Sequence, residues 1–245
     1  MTDQGDCQPF PQTGPLAANT NCERKTLWKI LQGQDGIVYC YIVDTIEYRG
    51  QVFCQTGTGP NFQGDLITLC TCKHYMRSGR EIADWRGQWV AGFSGKHKVE
   101  GDPLHYLVYL MKVADAYASH QDLWAQLSSE ARHGKAAHLN RLGDVYQPRA
   151  KVGDPFDYRS YQEPGPNHSH CNGDWHKDID DVGYGGRRPP LLVGDPQFSF
   201  LWNKPMIALP LPPDRQGCKK HKFGELLRQL DRAQDESGTP QSRNR

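Results

Sequence analysis

The run at 105–113, HYLVYLMKV, is apolar on both faces of an extended strand. Such a strand belongs inside a sheet that is covered on both sides, so the rest of the chain must supply neighbours and cover. Residues 37–45 (IVYCYIVDT) are β-branched and aromatic and form a strong candidate strand. Residues 66–72 (LITLCTC) alternate large and small side chains, and 88–93 (QWVAGF) form a strand that stops at Ser94-Gly95. Short strand-like runs return at 190–193 and 197–202, whereas 205–213 is too rich in proline for a central strand.

Helical patterns are short or peripheral. Residues 73–78 allow one turn before Gly79. Leu123, Trp124 and Leu127 have helical spacing within 118–131, and Phe223, Leu226, Leu227 and Leu230 mark a last amphipathic helix. Strands outnumber helices, which predicts an α+β chain built on a small mixed or antiparallel β-barrel, with short helices across its openings and long loops. The longest loop is 149–188, dominated by Pro, Gly, Asp, His and Tyr; a loop of that length is functional or disordered. Residues 1–22, polar and rich in Pro and Gly, are expected to be disordered. One domain over 23–213, a C-terminal helix in 214–236 and a mobile tail at 237–245 complete the expected organisation.

Composition narrows the setting. A formal net charge of +1 gives no global attraction to nucleic acid. Local charge differs: Lys73, Arg77, Arg80, Arg86, Lys96 and Lys98 stand against Glu81, Asp84 and Glu100, and a second basic cluster spans 215–232. Such patches suit phosphates, although a solvated basic face has the same composition. The start, MTDQGDCQPFPQTGP, lacks the basic and apolar parts of a signal peptide, and no apolar run reaches membrane-spanning length. A cytoplasmic, reducing setting is expected, with the 8 cysteines as thiols.

Several constellations carry candidate chemistry. The turn Gly92-Phe93-Ser94-Gly95-Lys96 follows a strand and can form an anion-binding nest with Lys96 and Lys98, or an ordinary connection. Trp85, Trp89, Phe93, Tyr106 and Tyr109 supply rings that can stack on a base or fill the core. In a strand, Trp89, Ala91 and Phe93 share one face while Val90 and Gly92 share the other, so only one face can look into a site. Cys70, Cys72 and His74 form CxCxH, which lacks the CxxC knuckle and second ligand pair of structural zinc. The loop NHSHCNGDWHKDIDD at 167–181 gathers His168, His170, Cys171, Asp174, His176, Asp178, Asp180 and Asp181. Imidazoles beside carboxylates suit acid–base work or ligand contact. No metal or cofactor is expected.

Taken in order, several segments resemble the second type of nucleotide-modification-associated domain of bacteria and phages. They are YCYIVDT at 39–45, LCTCKHYMR at 69–77, GQWVAGFSGK at 87–96, LVYLMKV at 107–113, GDVYQ at 143–147, HSH at 168–170 and LLVGDPQFSFLWNKPMIALP at 191–210. Val145 replaces the Asn of the family's GDN motif, and FLW at 200–202 replaces its YFG. The stretch from 87 to 117 also resembles PUA-like domains of the EVE and ASCH kind, where such strands rim a nucleobase pocket. The resemblance implies a PUA-like barrel that recognises a modified nucleobase or nucleotide, beside a DNA-modification or phage-defence system. Its partners would be the modified base, nucleotide or DNA, and modification enzymes. In that reading Trp89 and Phe93 stack the base, and Ser94, Gly95 and Lys96 meet its polar edge or phosphate. Tyr106, Asp144, Tyr146, His168 and His170 complete the wall. The alternatives are a transferase or hydrolase drawing on Asp144, His168, His170 and Asp174, and a non-catalytic scaffold subunit.

Overall fold

The central run becomes β6 (Leu107–Tyr117), third in a sheet that curls into a half-barrel. The structure is a computed structural model and describes residues 7–96, 104–151, 153–171, 173–213 and 217–232. Its strands are β1 (Ile37–Ile42), β2 (Ile46–Arg49), β3 (Val52–Gln55), β4 (Thr68–Leu69), β5 (Trp89–Phe93), β6, β7 (Leu191–Leu201) and β8 (Cys218–Lys222). Among the described residues the sheet order is β4-β7-β6-β5-β1-β8, and β2-β3 form a separate hairpin. Only β1 and β5 pair in parallel; the other neighbours in the sheet are antiparallel. The fold is thus α+β, and β4 and β8 remain as edges where a closed barrel would have none.

Alternation along β5 decides how the layers form. Trp89, Ala91 and Phe93 enter one core with Val38, Cys40, Phe200 and Trp202. Helices α2 (Arg24–Ile30) and α7 (Phe223–Arg232) cover that face through Leu27, Phe223, Leu226 and Leu230. Val90 enters the opposite core with Tyr39, Tyr41, Tyr109 and Met111, beneath the hairpin residues Ile46 and Phe53. Burying each such aliphatic or aromatic side chain contributes about 1.5–3 kcal/mol, so both faces of β5 and β6 stabilise the sheet. A side chain on Gly92 would overlap the ring of its cross-strand partner Tyr109, which explains a glycine inside this strand.

Several expectations need correction. Residues 7–22 are ordered: α1 (Gly14–Ala18) buries Leu16, and Cys7 forms a disulfide with Cys54 of β3. Gln8 joins that segment to the hairpin by its backbone N–H, which donates to Gln55 O at 2.8 Å, and to the chain beyond it by its side chain, with the carbonyl accepting from Phe62 N at 2.6 Å and the amide donating to Pro60 O at 3.2 Å. Composition hid this order because it rests on long-range pairing, not on periodic apolar residues. The pair Cys7–Cys54 also overturns the expectation that every cysteine is a thiol.

The helix expected over 118–131 is two helices, α4 (His120–Gln126) and α5 (Ser129–Lys135). Ser119 and Ser128 each cap a helix start by accepting from the backbone of Asp122 and Ala131. The two runs expected near 190–202 are one strand with irregular pairing to β6. Within 214–236 the helix is preceded by β8, which pairs with β1. Two helical turns, α3 (His74–Arg77) and α6 (Lys177–Asp180), complete the set used below. Lys98, residues 1–6 and the tail at 237–245 lie outside the described residues. No helix among the described residues is long and apolar enough to cross a membrane.

The disulfide closes a sequence separation of 47 residues. Chain-entropy arguments put its contribution at about 2–4 kcal/mol. Replacing Cys54 with serine, or adding reductant, is expected to lower the urea midpoint accordingly. An unchanged midpoint would show that the 7–22 segment is held by Gln8 and Leu16 without the cross-link.

Candidate functional site

Where β4 ends, the chain runs through Cys70-Thr71-Cys72 and turns sharply at Lys73, whose backbone is left-handed at φ +58°. That turn starts α3 and fixes which side chains face in. Arg77 points inward and is fully buried; its Nε donates to Cys72 O at 2.7 Å and its Nη1 to Pro190 O at 2.8 Å. Burial pushes the Arg77 pKa down, against the opposing pull of nearby thiols and carboxylates. Anchored this way, α3 presents His74 and Tyr75 to a cavity of about 790 Å³.

The cavity is bounded by Lys73 and Asp44 on one side, by Cys218 and Lys220 of β8 on another, and by Asp181 and Tyr184 from the long loop. Tyr75 and Tyr184 are 77% and 63% exposed. The Lys73 ammonium lies 4.7 Å from the Tyr41 ring centre and 3.9 Å from the Asp44 carboxylate. The Lys220 ammonium lies 5.3 Å from the Tyr39 ring centre. Beneath Lys73, the hydroxyls of Tyr41 and Tyr109 share a 2.7 Å hydrogen bond in the core.

Behind the cavity wall lies a polar network centred on Asp178 of α6. Its Oδ2 accepts from Tyr146 Oη at 2.8 Å and pairs with His170 Nδ1 at 2.7 Å. Its Oδ1 lies 3.5 Å from His74 Nε2, and His74 Nδ1 lies 2.9 Å from Asp181 Oδ2. Burial alone would raise the Asp178 pKa; the bond from His170 and the nearby His74 outweigh it and lower the value to about 2. For His170 burial works against the charge, but the bond and charge of Asp178 prevail and raise its pKa. The network continues outward. His170 Nε2 lies 3.4 Å from Thr58 Oγ1, which lies 2.7 Å from Thr71 Oγ1, and Thr71 lines the cavity.

Only part of the expected site comes together here. Tyr146 and His170 join through Asp178. His168 is adjacent but committed to the fold: Nε2 donates to Gly143 O at 2.7 Å and Nδ1 accepts from His170 N at 3.1 Å. Burial lowers its pKa, in keeping with a neutral ring that donates on one side and accepts on the other. Asp144 belongs to a separate buried cluster, accepting from Thr68 Oγ1 at 2.7 Å beside the ammonium of Lys135. Burial raises its pKa.

Trp89 and Phe93 are not stacking platforms. Both are fully buried on the helix-covered face, with the Trp89 ring 4.5 Å from that of Phe223. Ser94 is spent within its turn, donating to Gly95 O and accepting from Tyr106 N. Tyr106 packs in the opposite core near Phe53. None of Trp89, Phe93, Ser94, Gly95, Lys96 or Tyr106 lines the cavity. The aromatic density that suggested a base platform is core packing.

Among the described residues no group of three metal-ligating side chains converges. Cys72 is held above its ordinary pKa by burial and by Asp178, so it is present as a thiol. Thr58, Thr71, Lys73, Tyr75, Tyr184 and Lys220 were not singled out from sequence as site residues. Lys73 and Lys220 were legible only as members of the two basic clusters, and the two tyrosines and two threonines carried no such mark. No protein-family model, curated protein or solved structure matches the chain.

Proposed function

We propose that the cavity between α3, β8 and the long loop recognises a nucleobase or nucleotide, with a modified base as the form discriminated, in a DNA-modification or phage-defence setting. The observation that carries this reading is the pairing of exposed Tyr75 and Tyr184 with Lys73 and Lys220 around one cavity that Thr71, 4% exposed, also lines. Rings of this exposure offer faces for a base, at about 1–3 kcal/mol per stacked base. The lysines suit a phosphate, and Thr71 suits a polar base edge. A volume near 790 Å³ lies within the range of small-molecule sites and leaves room for a nucleotide. The half-barrel is compatible with a PUA-like barrel left open on one side, and the ordered motif resemblance supports the same ligand class.

Calorimetric titration with nucleoside monophosphates, bearing ordinary and modified bases, tests this. Binding is expected, weakened about 5-fold to 100-fold by Tyr75→Ala or Tyr184→Ala. Lys73→Ala is expected to weaken nucleotides more than the matching nucleosides. Trp89 and Ser94 variants that remain folded are expected to bind normally. Failure of the folded protein to bind any member of the panel would refute the reading.

A second reading, an enzyme acting on a base or nucleotide, is favoured by the order carboxylate–imidazole–hydroxyl in Asp178, His170 and Thr58. Against it, Thr58 is only 1% exposed and the cavity is lined by Thr71 instead. Turnover in a mass-spectrometric assay that is lost in His170→Ala would favour this second reading over recognition alone.

A further inference from the structure

A hydroxyl has one hydrogen to give and two lone pairs to receive. Two hydroxyls in series between an imidazole nitrogen and an open cavity therefore form a chain with a direction. That arrangement occurs here: His170 Nε2, Thr58 Oγ1 and Thr71 Oγ1 are spaced at 3.4 and 2.7 Å, and Thr71 lines the cavity. We infer that His170 sets the direction of this chain, so that Thr71 offers the ligand an acceptor when His170 is neutral and a donor when it is protonated. This deepens, and rests on, the proposed recognition of a nucleobase at the same cavity.

The surroundings fix which nitrogen titrates. Asp178 Oδ2 faces Nδ1 at 2.7 Å, so the proton on Nδ1 is held in both states. The exchangeable proton is then the one on Nε2, which faces Thr58. With Nε2 bare, Thr58 donates to it, Thr71 donates to Thr58, and a lone pair of Thr71 is left for a ligand N–H. With Nε2 protonated, His170 donates to Thr58, Thr58 donates to Thr71, and the Thr71 hydrogen points to a ligand carbonyl. The Cys72 thiol, 3.9 Å from Thr71, is a weak competitor for one lone pair.

Other charged groups bear on His170 without replacing this role. His168 lies on the same loop at 5.8 Å between ring centres, with both its nitrogens engaged. Tyr146 and His74 share the Asp178 carboxylate, and Asp181 holds the far side of His74. Arg77 is buried beyond Cys72 and interacts with the same carboxylate. The bond and charge of Asp178 raise the His170 pKa, so the reversal lies above the ordinary histidine value.

The ligand class follows from the edge being read. An exocyclic amino group, as on cytosine, suits the neutral state, and a carbonyl at the same position, as on uracil, suits the protonated state. The test is titration of dCMP and dUMP at a series of pH values between about 5.5 and 8.5. Both carry the same phosphate and meet the same cavity wall, so effects common to the two cancel in the ratio of dissociation constants. The ratio is expected to move up to about tenfold toward dCMP as pH rises. Thr71→Val and His170→Gln are each expected to flatten the ratio while leaving binding measurable. Thr71→Val serves where His170→Gln does not fold. A ratio that stays constant with pH in the unmodified protein, with both nucleotides bound, would overturn the inference and leave the cavity reading intact. Absence of binding by both nucleotides would overturn the inference, and the cavity reading falls with it only if the wider panel also fails to bind.

Discussion

Replacing Asp178 with alanine is expected to destabilise the protein by about 3–5 kcal/mol, the cost of breaking a buried charge network by removing one partner. The Asp178 side chain is 7% exposed and serves Tyr146, His170 and His74 at once. Its loss leaves the fully buried Tyr146 hydroxyl without an acceptor, which is costlier than the missing bond itself, and removes the partner of the half-buried His170 Nδ1. Urea denaturation of Asp178→Ala beside Asp178→Asn measures this, with the amide expected to recover part of the loss because one oxygen remains. The pH dependence has a definite sign. The folded pKa, about 2, lies below the ordinary 3.8, so the stabilisation is present above pH 3.8 and is lost as pH falls through about 2. His170 acts in the opposite sense: with its folded pKa raised, its contribution is present below the ordinary value and is lost as pH rises through the folded one.

Replacing Lys135 with methionine is expected to cost a similar amount, about 3–5 kcal/mol. Its ammonium is fully buried and donates to Leu66 O at 2.7 Å, Thr68 Oγ1 at 2.9 Å and Asn61 Oδ1 at 3.0 Å. It also offsets the charge of buried Asp144. Methionine matches the shape but strands those acceptors and the carboxylate. The double variant Lys135→Met with Asp144→Asn is expected to recover part of the loss, since a neutral amide needs no counter-charge. A double-mutant cycle by urea denaturation gives the coupling, and simple additivity of the two changes would mean that Lys135 and Asp144 do not interact. Burial lowers the Lys135 pKa to about 8 from 10.5. The unfolded chain therefore holds more protons between those values, and stability on this account rises with pH across that window.

The two stability predictions concern different roles. Lys135 and Asp144 brace the end of β4 against α5, and so hold the strand that leads into Thr71. Asp178 ties the long loop to α3, and so holds the far wall of the cavity. A variant of either kind that remains folded changes the cavity by moving a wall, whereas Tyr75 and Tyr184 act on a ligand directly.

The parts of this fold legible in sequence are those whose signal is local. Strands β5 and β6 announce themselves by apolar faces, α7 by Leu226 and Leu230 one turn apart, and α3 by a basic turn before Gly79. Strand β8, read only as part of a basic cluster, is CKKHK, and no scale of strand preference selects it; it exists because its backbone completes the ladder on β1. Residues 7–22 were hidden for the same reason, their order coming from Cys54, Pro60 and Phe62. In the site, the 167–181 loop was legible as a cluster of imidazoles and carboxylates, and His170 and Asp178 do meet. Their extension to the cavity was not. Thr58 and Thr71 come from different segments, and a threonine carries no sequence mark of the partner that orients it. Trp89 and Phe93 misled because aromatic density reads alike in a platform and in a core; strand alternation limited them to one face without saying that helices cover it.

Hydrogen-exchange mapping with and without a nucleoside monophosphate tests the assignment of the cavity most directly. Added protection is expected across 71–79, 176–184 and 217–222, with 87–96 and 105–109 unchanged. Protection confined to the turn at Ser94 to Lys96 and to Tyr106, with 71–79 and 217–222 unaffected, would contradict it.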